Sequence, residues 1–255
     1  MAATRPYYAE RGLSAAFYDT VTAADADVHG DLAIYESLAP PHAAFLELGS
    51  GTGRLALRLA EHGFTVTGIE IAPAMLAQAN AKRAEAEPEV GRRMAFERGD
   101  MTSLNLQRTF DLVICPYFTL AHLPHGMAWR NTFAVAARHL KPGGISAFHL
   151  PMLPIMRLPG PENSDQAVFD EPTPSGGRLR LYIRERKFDE DRGRLDQVIE
   201  YVEFDARGQL RRQSLERLTY YCADPTPMAT PEGLIPDRQP INLGDTGEIH
   251  VYLKA

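Results

Sequence analysis

Between residues 13 and 151 the spacing of apolar positions changes repeatedly, and each change predicts an element. Leu13, Ala16, Phe17, Thr20 and Val21 share one face at three- and four-residue spacing, which predicts a helix over 13–38, broken by "APPH" at 39–42. "AAFLELG" (43–49) reads as a short strand. "GTGRLALRLAEHG" (51–63) reads as a helix that turns Leu55, Ala56 and Leu59 inward and stops at Gly63. The pattern then repeats: strand "FTVTGIE" (64–70), helix "APAMLAQANAKRAEAE" (72–87) with Pro73 in its first turn, strand "MAFERGD" (94–100). "FDLVICPY" (110–117) is apolar enough to be buried on both faces; a helix over 127–140 and a fifth strand, "ISAFHL" (145–150), follow. Strands alternating with helices at this spacing predict an α/β fold around a mostly parallel sheet, with helices on both faces.

After Pro151 the pattern changes. Residues 151–177 are rich in proline and glycine, and then "RLRLYIRERKF", "RLDQVIEYVEF" and "QLRRQSLERLTYYC" are separated by the turns "DEDRGR" and "DARG". Leu179, Leu181 and Ile183 alternate with Arg178, Arg180 and Arg184, so an antiparallel β-meander with one covered face is predicted as an addition to the core. "GEIHVYLKA" reads as a last strand, preceded by a proline-laden stretch too short for a good helix. The expected organisation is an N-terminal helical cap (1–44), a core (45–151), a meander that forms a lid or a homodimer surface (152–225), and a C-terminal strand region that completes the core (226–255).

Composition narrows the function. With 255 residues, 44% of them hydrophobic, the chain can bury a full core. A net charge of −6 without a basic block disfavours nucleic acid as a partner. Cys115 and Cys222 form neither a metal-ligand spacing nor a disulfide framework, so no metal is expected and a reducing cytoplasm fits. No apolar run approaches membrane-spanning length, so a soluble, cytoplasmic protein without a membrane partner is expected.

The chemistry concentrates at "FLELGSGTGR" (45–54), where three glycines lie between a strand and a helix. Such backbone lets a ligand approach closely and offers free N–H groups. A nucleoside triphosphate would require G-x-x-x-x-G-K-[ST], and no lysine follows. A dinucleotide would require G-x-G-x-x-G, but Arg54 stands at the third glycine, and Glu47 would repel a pyrophosphate. A ligand with a sulfonium and an ammonium would instead welcome Glu47. Glu70 ends the second strand at the distance suited to a ribose diol, and Asp100 ends the third, placed to accept from an adenine amino group.

These residues resemble the class I S-adenosylmethionine-dependent methyltransferases. The resemblance runs over about residues 13–151 and is carried by "LELGSGTGR", "GIEIAPAMLAQA", "RGDM", "FDLVICPYFTLAHL" and "LKPGG". It implies a Rossmann-like methyltransferase sheet with S-adenosylmethionine as cofactor. The implied contacts are Glu47, Gly49, Ser50, Gly51 and Gly53 in the first loop, Glu70 on the ribose, Ile71, Asp100 and Met101 around the adenine, and backbone near Cys115 at the amino-acid end. Small-molecule members often place a tyrosine over the cofactor, which implies that role for Tyr18 in "FYDT".

The reading is therefore methyl transfer to a nitrogen or oxygen of a small-molecule acceptor, mainly by alignment and exclusion of water. His122 and His149, at or just after the fourth and fifth strands, are the candidate bases. Two alternatives stand beside it. A nucleic-acid-modifying methyltransferase would need a basic channel, and "ICPYF" shares only part of an N-P-P-Y loop. A non-catalytic protein of the same fold would not need intact cofactor motifs.

Overall fold

Short apolar runs bounded by glycine and proline become strands wherever both faces find cover. The computed structural model describes residues 4–25 and 28–255. In chain order it contains β1 (Arg5–Pro6), α1 (Leu13–Ala16), α2 (Tyr18–Ala24), α3 (Asp31–Ser37), β2 (Ala44–Leu48), α4 (Arg54–Glu61) and β3 (Thr65–Glu70). Next come α5 (Pro73–Glu85), α6 (Pro88–Arg92), β4 (Met94–Arg98), β5 (Phe110–Cys115), α7 (Met127–His139), β6 (Leu140–Pro151) and α8 (Leu153–Met156). The remainder is β7 (Phe169–Pro172), β8 (Arg178–Asp189), β9 (Arg194–Phe204), β10 (Leu210–Tyr221), α9 (Thr226–Ala229), β11 (Leu234–Pro236), β12 (Ile241–Leu243) and β13 (Gly247–Lys254). Two units result: an α/β unit of residues 26–152 and 222–255, and a meander unit of residues 1–25 and 153–221.

The α/β unit is built on a sheet of order β11-β13-β6-β5-β2-β3-β4, with β12 also paired to β13. From β6 to β4 all pairings are parallel, and β13 joins antiparallel to β6. β5 lies in the middle and buries its apolar side chains on both faces, as its composition predicts. On one face Tyr35, Leu38, Phe45, Leu55, Leu59 and Ile114 belong to one core. Elsewhere in the unit Phe133, Phe148 and Tyr252 meet edge to face at 4.7–6.4 Å between centroids. The proline-laden stretch before β13 forms the four-residue α9, a 3-10 turn at Thr230–Glu232 and two short strands. β11 and β12 both pair along the outer side of β13, and so cover an edge that would otherwise be open.

The meander unit holds a five-stranded sheet of order β1-β10-β9-β8-β7. β8, β9 and β10 are antiparallel neighbours, and their apolar face, including Leu179, Leu181, Ile199, Tyr201 and Leu218, packs with Leu13 and Phe17. The N-terminal segment therefore belongs to this unit.

The single helix expected over 13–38 is corrected to three. The chain leaves helical geometry at Phe17 (φ −114°, ψ 16°), and α3 starts after Gly30 at φ +104°. The apolar positions serve two cores, since Leu13 and Phe17 pack in the meander unit while Tyr35 and Leu38 pack in the α/β unit. The unit boundary thus falls inside the segment 1–44 expected to act as one cap; residues 1–3 and 26–27 lie outside the described residues.

Candidate cofactor site

The site lies at the carboxyl ends of β3, β2 and β5, where the chain's progression through the sheet reverses around β2. Glu47 sits opposite Gly68 of β3 and Ile114 of β5. It shares a sheet face with Phe45, two residues before it, so it is on the side occupied by Tyr35 and the α4 leucines. The loop that follows turns through Gly49, Gly51 and Gly53, all at positive φ (+71°, +54° and +74°). At Gly49 an added Cβ would lie 2.1 Å from Thr119 Cγ2, and at Gly53 2.8 Å from Phe96 Cζ, so both conformation and space require glycine. The amides of Gly49 and Ser50 both donate to Ile69 O, at 2.8 and 2.9 Å, which ties the loop to the end of β3.

The two strand-end carboxylates differ in their surroundings. Glu70 accepts from the Gly51 amide (2.9 Å) and the Ala72 amide (2.7 Å), clamping the loop after β2 to the loop after β3. Glu47 is buried, 2% exposed, and its Oε2 has no hydrogen-bond partner among the described residues. The Ser50 and Tyr35 hydroxyls are also buried without one. Burial pushes the Glu47 carboxyl up to about 8; Arg54 opposes this, while Asp31 and Glu70 add to it. Arg54 is held by Asp31 in a two-point pair, Nη2 to Oδ2 at 2.5 Å and Nη1 to Oδ1 at 3.4 Å. Beneath the loop, Lys82 donates to the buried Thr52 hydroxyl at 2.8 Å.

The other expected residues are placed as follows. Asp100, exposed beyond β4, accepts through Oδ1 from the Thr102 amide and hydroxyl, each at 2.8 Å. Ile71 is 59% exposed just past Glu70. Met101 is half-buried next to Asp100 in the chain. Cys115 closes β5; burial pushes its thiol up, so it stays neutral and offers backbone rather than a thiolate. Tyr18 belongs to the meander unit, where its ring meets Tyr8 edge-on at 5.9 Å between centroids. His122 ends a 3-10 turn after β5, and desolvation lowers its imidazole to about 4 although the residue keeps some exposure. His149 lies within β6, buried, opposite Ile249 and 4.5 Å from the Phe118 ring.

Sequence reasoning missed Asp31, Tyr35 and the turn at 116–119. Tyr117 and Phe118 both adopt left-handed backbone, φ +47° and +60°, a strained pair immediately after β5. The proline before this aromatic pair was its only signal. The Asp31–Arg54 pairing carries no local pattern at all. Among the described residues no group of three or more His, Cys, Asp or Glu could hold a metal, and no helix is long and apolar enough to cross a membrane.

Residues 45–144, with the glycine loop, Glu47, Glu70 and Asp100 included, match the family described as Methyltransferase domain. The chain carries a methyltransferase domain. A Geobacillus sp. (strain WCH70) protein with a provisional methyltransferase name is 39% identical over 103 residues, 40% of this chain and 40% of that protein. The dTDP-3-amino-3,6-dideoxy-alpha-D-glucopyranose N,N-dimethyltransferase of Streptomyces fradiae is 29% identical over 106 residues, 42% of this chain and 38% of the relative. The matched segment thus spans less than half the length of these curated relatives. The fold is shared more widely. An amino pentose methyltransferase from Micromonospora echinaspora, solved with S-adenosylmethionine bound, superposes with a TM-score of 0.68 at 22% identity, covering 93% of this chain and 96% of its own. The class I methyltransferase architecture expected from the motifs is the one observed, with the additional antiparallel sheet. Its donor set suits S-adenosylmethionine: a buried carboxylate with an oxygen unmatched by the protein, a loop of three glycines at positive φ, and a second carboxylate at the next strand end.

Proposed function

We propose that the chain methylates the nitrogen of a small amino-bearing acceptor, an amino sugar, with S-adenosylmethionine as donor. The observation that carries this is Glu47: a carboxylate buried at a strand end, with Oε2 unmatched by the protein, is suited to a cationic group and to no phosphate. In this reading Glu47 holds the methionine end, with the loop of Gly49, Ser50, Gly51 and Gly53 and the backbone at Cys115 around it. Glu70 takes the ribose hydroxyls, while Ile71, Asp100 and Met101 border the adenine. Tyr18 is assigned a place over the cofactor. The acceptor class is supported by the amino-sugar specificities of the Streptomyces and Micromonospora proteins.

The cofactor supplies an activated methyl on sulfur. This chain's residues then need only align the acceptor and exclude water. An amine attacks as its neutral form and requires no base in the displacement. His122, kept neutral by burial, is suited to orient the amine by accepting a hydrogen bond, not to remove its proton at the transition state. His122→Asn should therefore lower kcat without changing the shape of the kcat/KM–pH profile between pH 6 and 9, whereas loss of a limb would make the imidazole a true base.

Calorimetry with S-adenosylmethionine and with NAD, followed by methyl transfer to dTDP-3-amino-3,6-dideoxyglucose and to its hydroxyl counterpart, tests the proposal. Binding of the sulfonium ligand alone, with turnover on the amine only, is expected. NAD binding without S-adenosylmethionine binding, or turnover on the hydroxyl sugar alone, would refute it.

A further inference from the structure

We infer that Glu47 is a proton-coupled anchor: it carries a proton in the cofactor-free protein and gives it up when the cationic methionine end of S-adenosylmethionine binds. This rests on the cofactor reading above and adds to it a coupling between binding and pH.

The geometry comes first. Glu47 is buried in the sheet, and no group of the described residues reaches its Oε2. An ionised carboxylate in such a place would face the full cost of desolvation, which a buried group avoids by staying neutral. The charges that face it do not relieve that cost. From α3 come the Asp31 carboxylate and the Tyr35 hydroxyl, from β3 the Glu70 carboxylate, from β5 the neutral Cys115 thiol, and from α4 the Arg54 guanidinium. Arg54 is the only cation in that set, and the Asp31 pair neutralises it. Burial, with two carboxylates set against one guanidinium, leaves the Glu47 carboxyl at about 8, protonated at neutral pH. A cation held at Oε2 reverses the balance, because an opposite charge at contact distance favours the ionised form. The proton on Glu47 then passes to solvent as the carboxylate–cation contact forms, and no other group changes oxidation state or bonding.

Linkage sets the size of the effect. A carboxyl that titrates near 8 in the free protein and well below neutrality in the complex releases close to one proton per ligand at pH 7. It also tightens apparent affinity about tenfold between pH 7 and pH 9. The amino group of the cofactor titrates in the same range, so the measurement is a comparison between the wild type and Glu47→Gln.

The test is calorimetry of S-adenosylmethionine and of S-adenosylhomocysteine at pH 7 in buffers of different ionisation enthalpy, on the full chain. Carbon-13 carboxyl shifts of the cofactor-free protein are followed over pH 5–10 in parallel. The wild type is expected to release nearly one proton more than Glu47→Gln with S-adenosylmethionine, and one buried carboxyl should titrate near pH 8 and vanish in the variant. Equal proton counts in the two proteins, or no carboxyl titrating above pH 6, would overturn the inference while leaving the cofactor assignment intact. If Glu47→Gln does not bind, the wild-type proton count and the carboxyl titration still decide. Absence of any binding by the folded wild type would instead refute the methyltransferase reading itself.

Discussion

Glu47 and Glu70 end neighbouring parallel strands, yet one keeps an oxygen unmatched by the described residues and the other accepts backbone amides through both oxygens. Their substitutions should therefore fail differently. Glu70→Ala removes the carboxylate that holds the Gly51 and Ala72 amides, so the two loops loosen as the proposed ribose contact disappears. Cofactor binding measured by calorimetry should weaken by about 1.5–3 kcal/mol, the worth of hydrogen bonds to a charged group. An unchanged affinity in a folded variant would place the ribose elsewhere. Glu47 acts on stability through pH. Its folded-state carboxyl is raised to about 8, so its favourable contribution is complete below the ordinary carboxylate range and is lost as pH rises through about 8. Urea denaturation of the cofactor-free protein at pH 5 and pH 9 should show a loss of up to several kcal/mol that Glu47→Gln largely abolishes. Parallel pH dependences in the two proteins would show that Glu47 titrates normally.

Among the elements, the least legible from sequence is the N-terminal segment, and one buried residue caps its first helix. Glu216 on β10 is fully buried and accepts from the Leu13 amide (2.6 Å), the Ser14 amide (3.1 Å) and the Ser14 and Ser214 hydroxyls. It thereby caps α1 from another strand, and Gly12 leaves room for it, since a Cβ there would sit 2.7 Å from the carboxylate. Glu216→Ala leaves several buried donors unmatched and should destabilise the chain by about 3 kcal/mol in chemical denaturation. Protease cleavage within residues 5–16 should also become faster, and an unchanged midpoint would contradict the capping role. Nothing local announces this contact, which joins residues some 200 positions apart. β1 is similarly invisible, because Arg5 and Pro6 have no strand pattern and are a strand only by lying parallel to Glu216 and Arg217. The core strands were readable for the opposite reason. β2 and β5 are largely apolar runs buried on both faces, β3 recurs at the spacing that alternates with helices, and the glycine loop needs its residues for backbone conformation, so local pattern marks them. Asp31 and Tyr35 escaped because a helical period says which face is buried, not which charges meet there.

At the scale of the whole molecule, every residue expected at the cofactor except Tyr18 falls in one unit, and the meander and the N-terminal segment make up the other. We propose that this division separates binding of the cofactor from choice of the acceptor, which is tested by removing the second unit entire. Deleting only the strands from Arg178 to Cys222 would strip the cover from Leu13 and Phe17 and leave an apolar N-terminal segment without its sheet. A better deletion removes residues 1–25 and 153–221 together. The cut ends suit a short linker, because the Cys222 thiol donates to Pro151 O at 3.6 Å and the Met152 amide donates to Thr246 O at 2.8 Å within the α/β unit. With the glycine loop, Glu47, Glu70 and Asp100 all retained, the shortened protein should fold by circular dichroism. It should bind S-adenosylmethionine within about tenfold of the full chain, the loss of Tyr18 being worth no more than about 1.4 kcal/mol. Turnover on an amino sugar should disappear, since the proposal assigns acceptor choice to residues of the removed unit. Retained turnover with the same acceptor preference would refute that assignment. Loss of cofactor binding in a folded truncation would show instead that the meander unit, through Tyr18 or its neighbours, is part of the cofactor site.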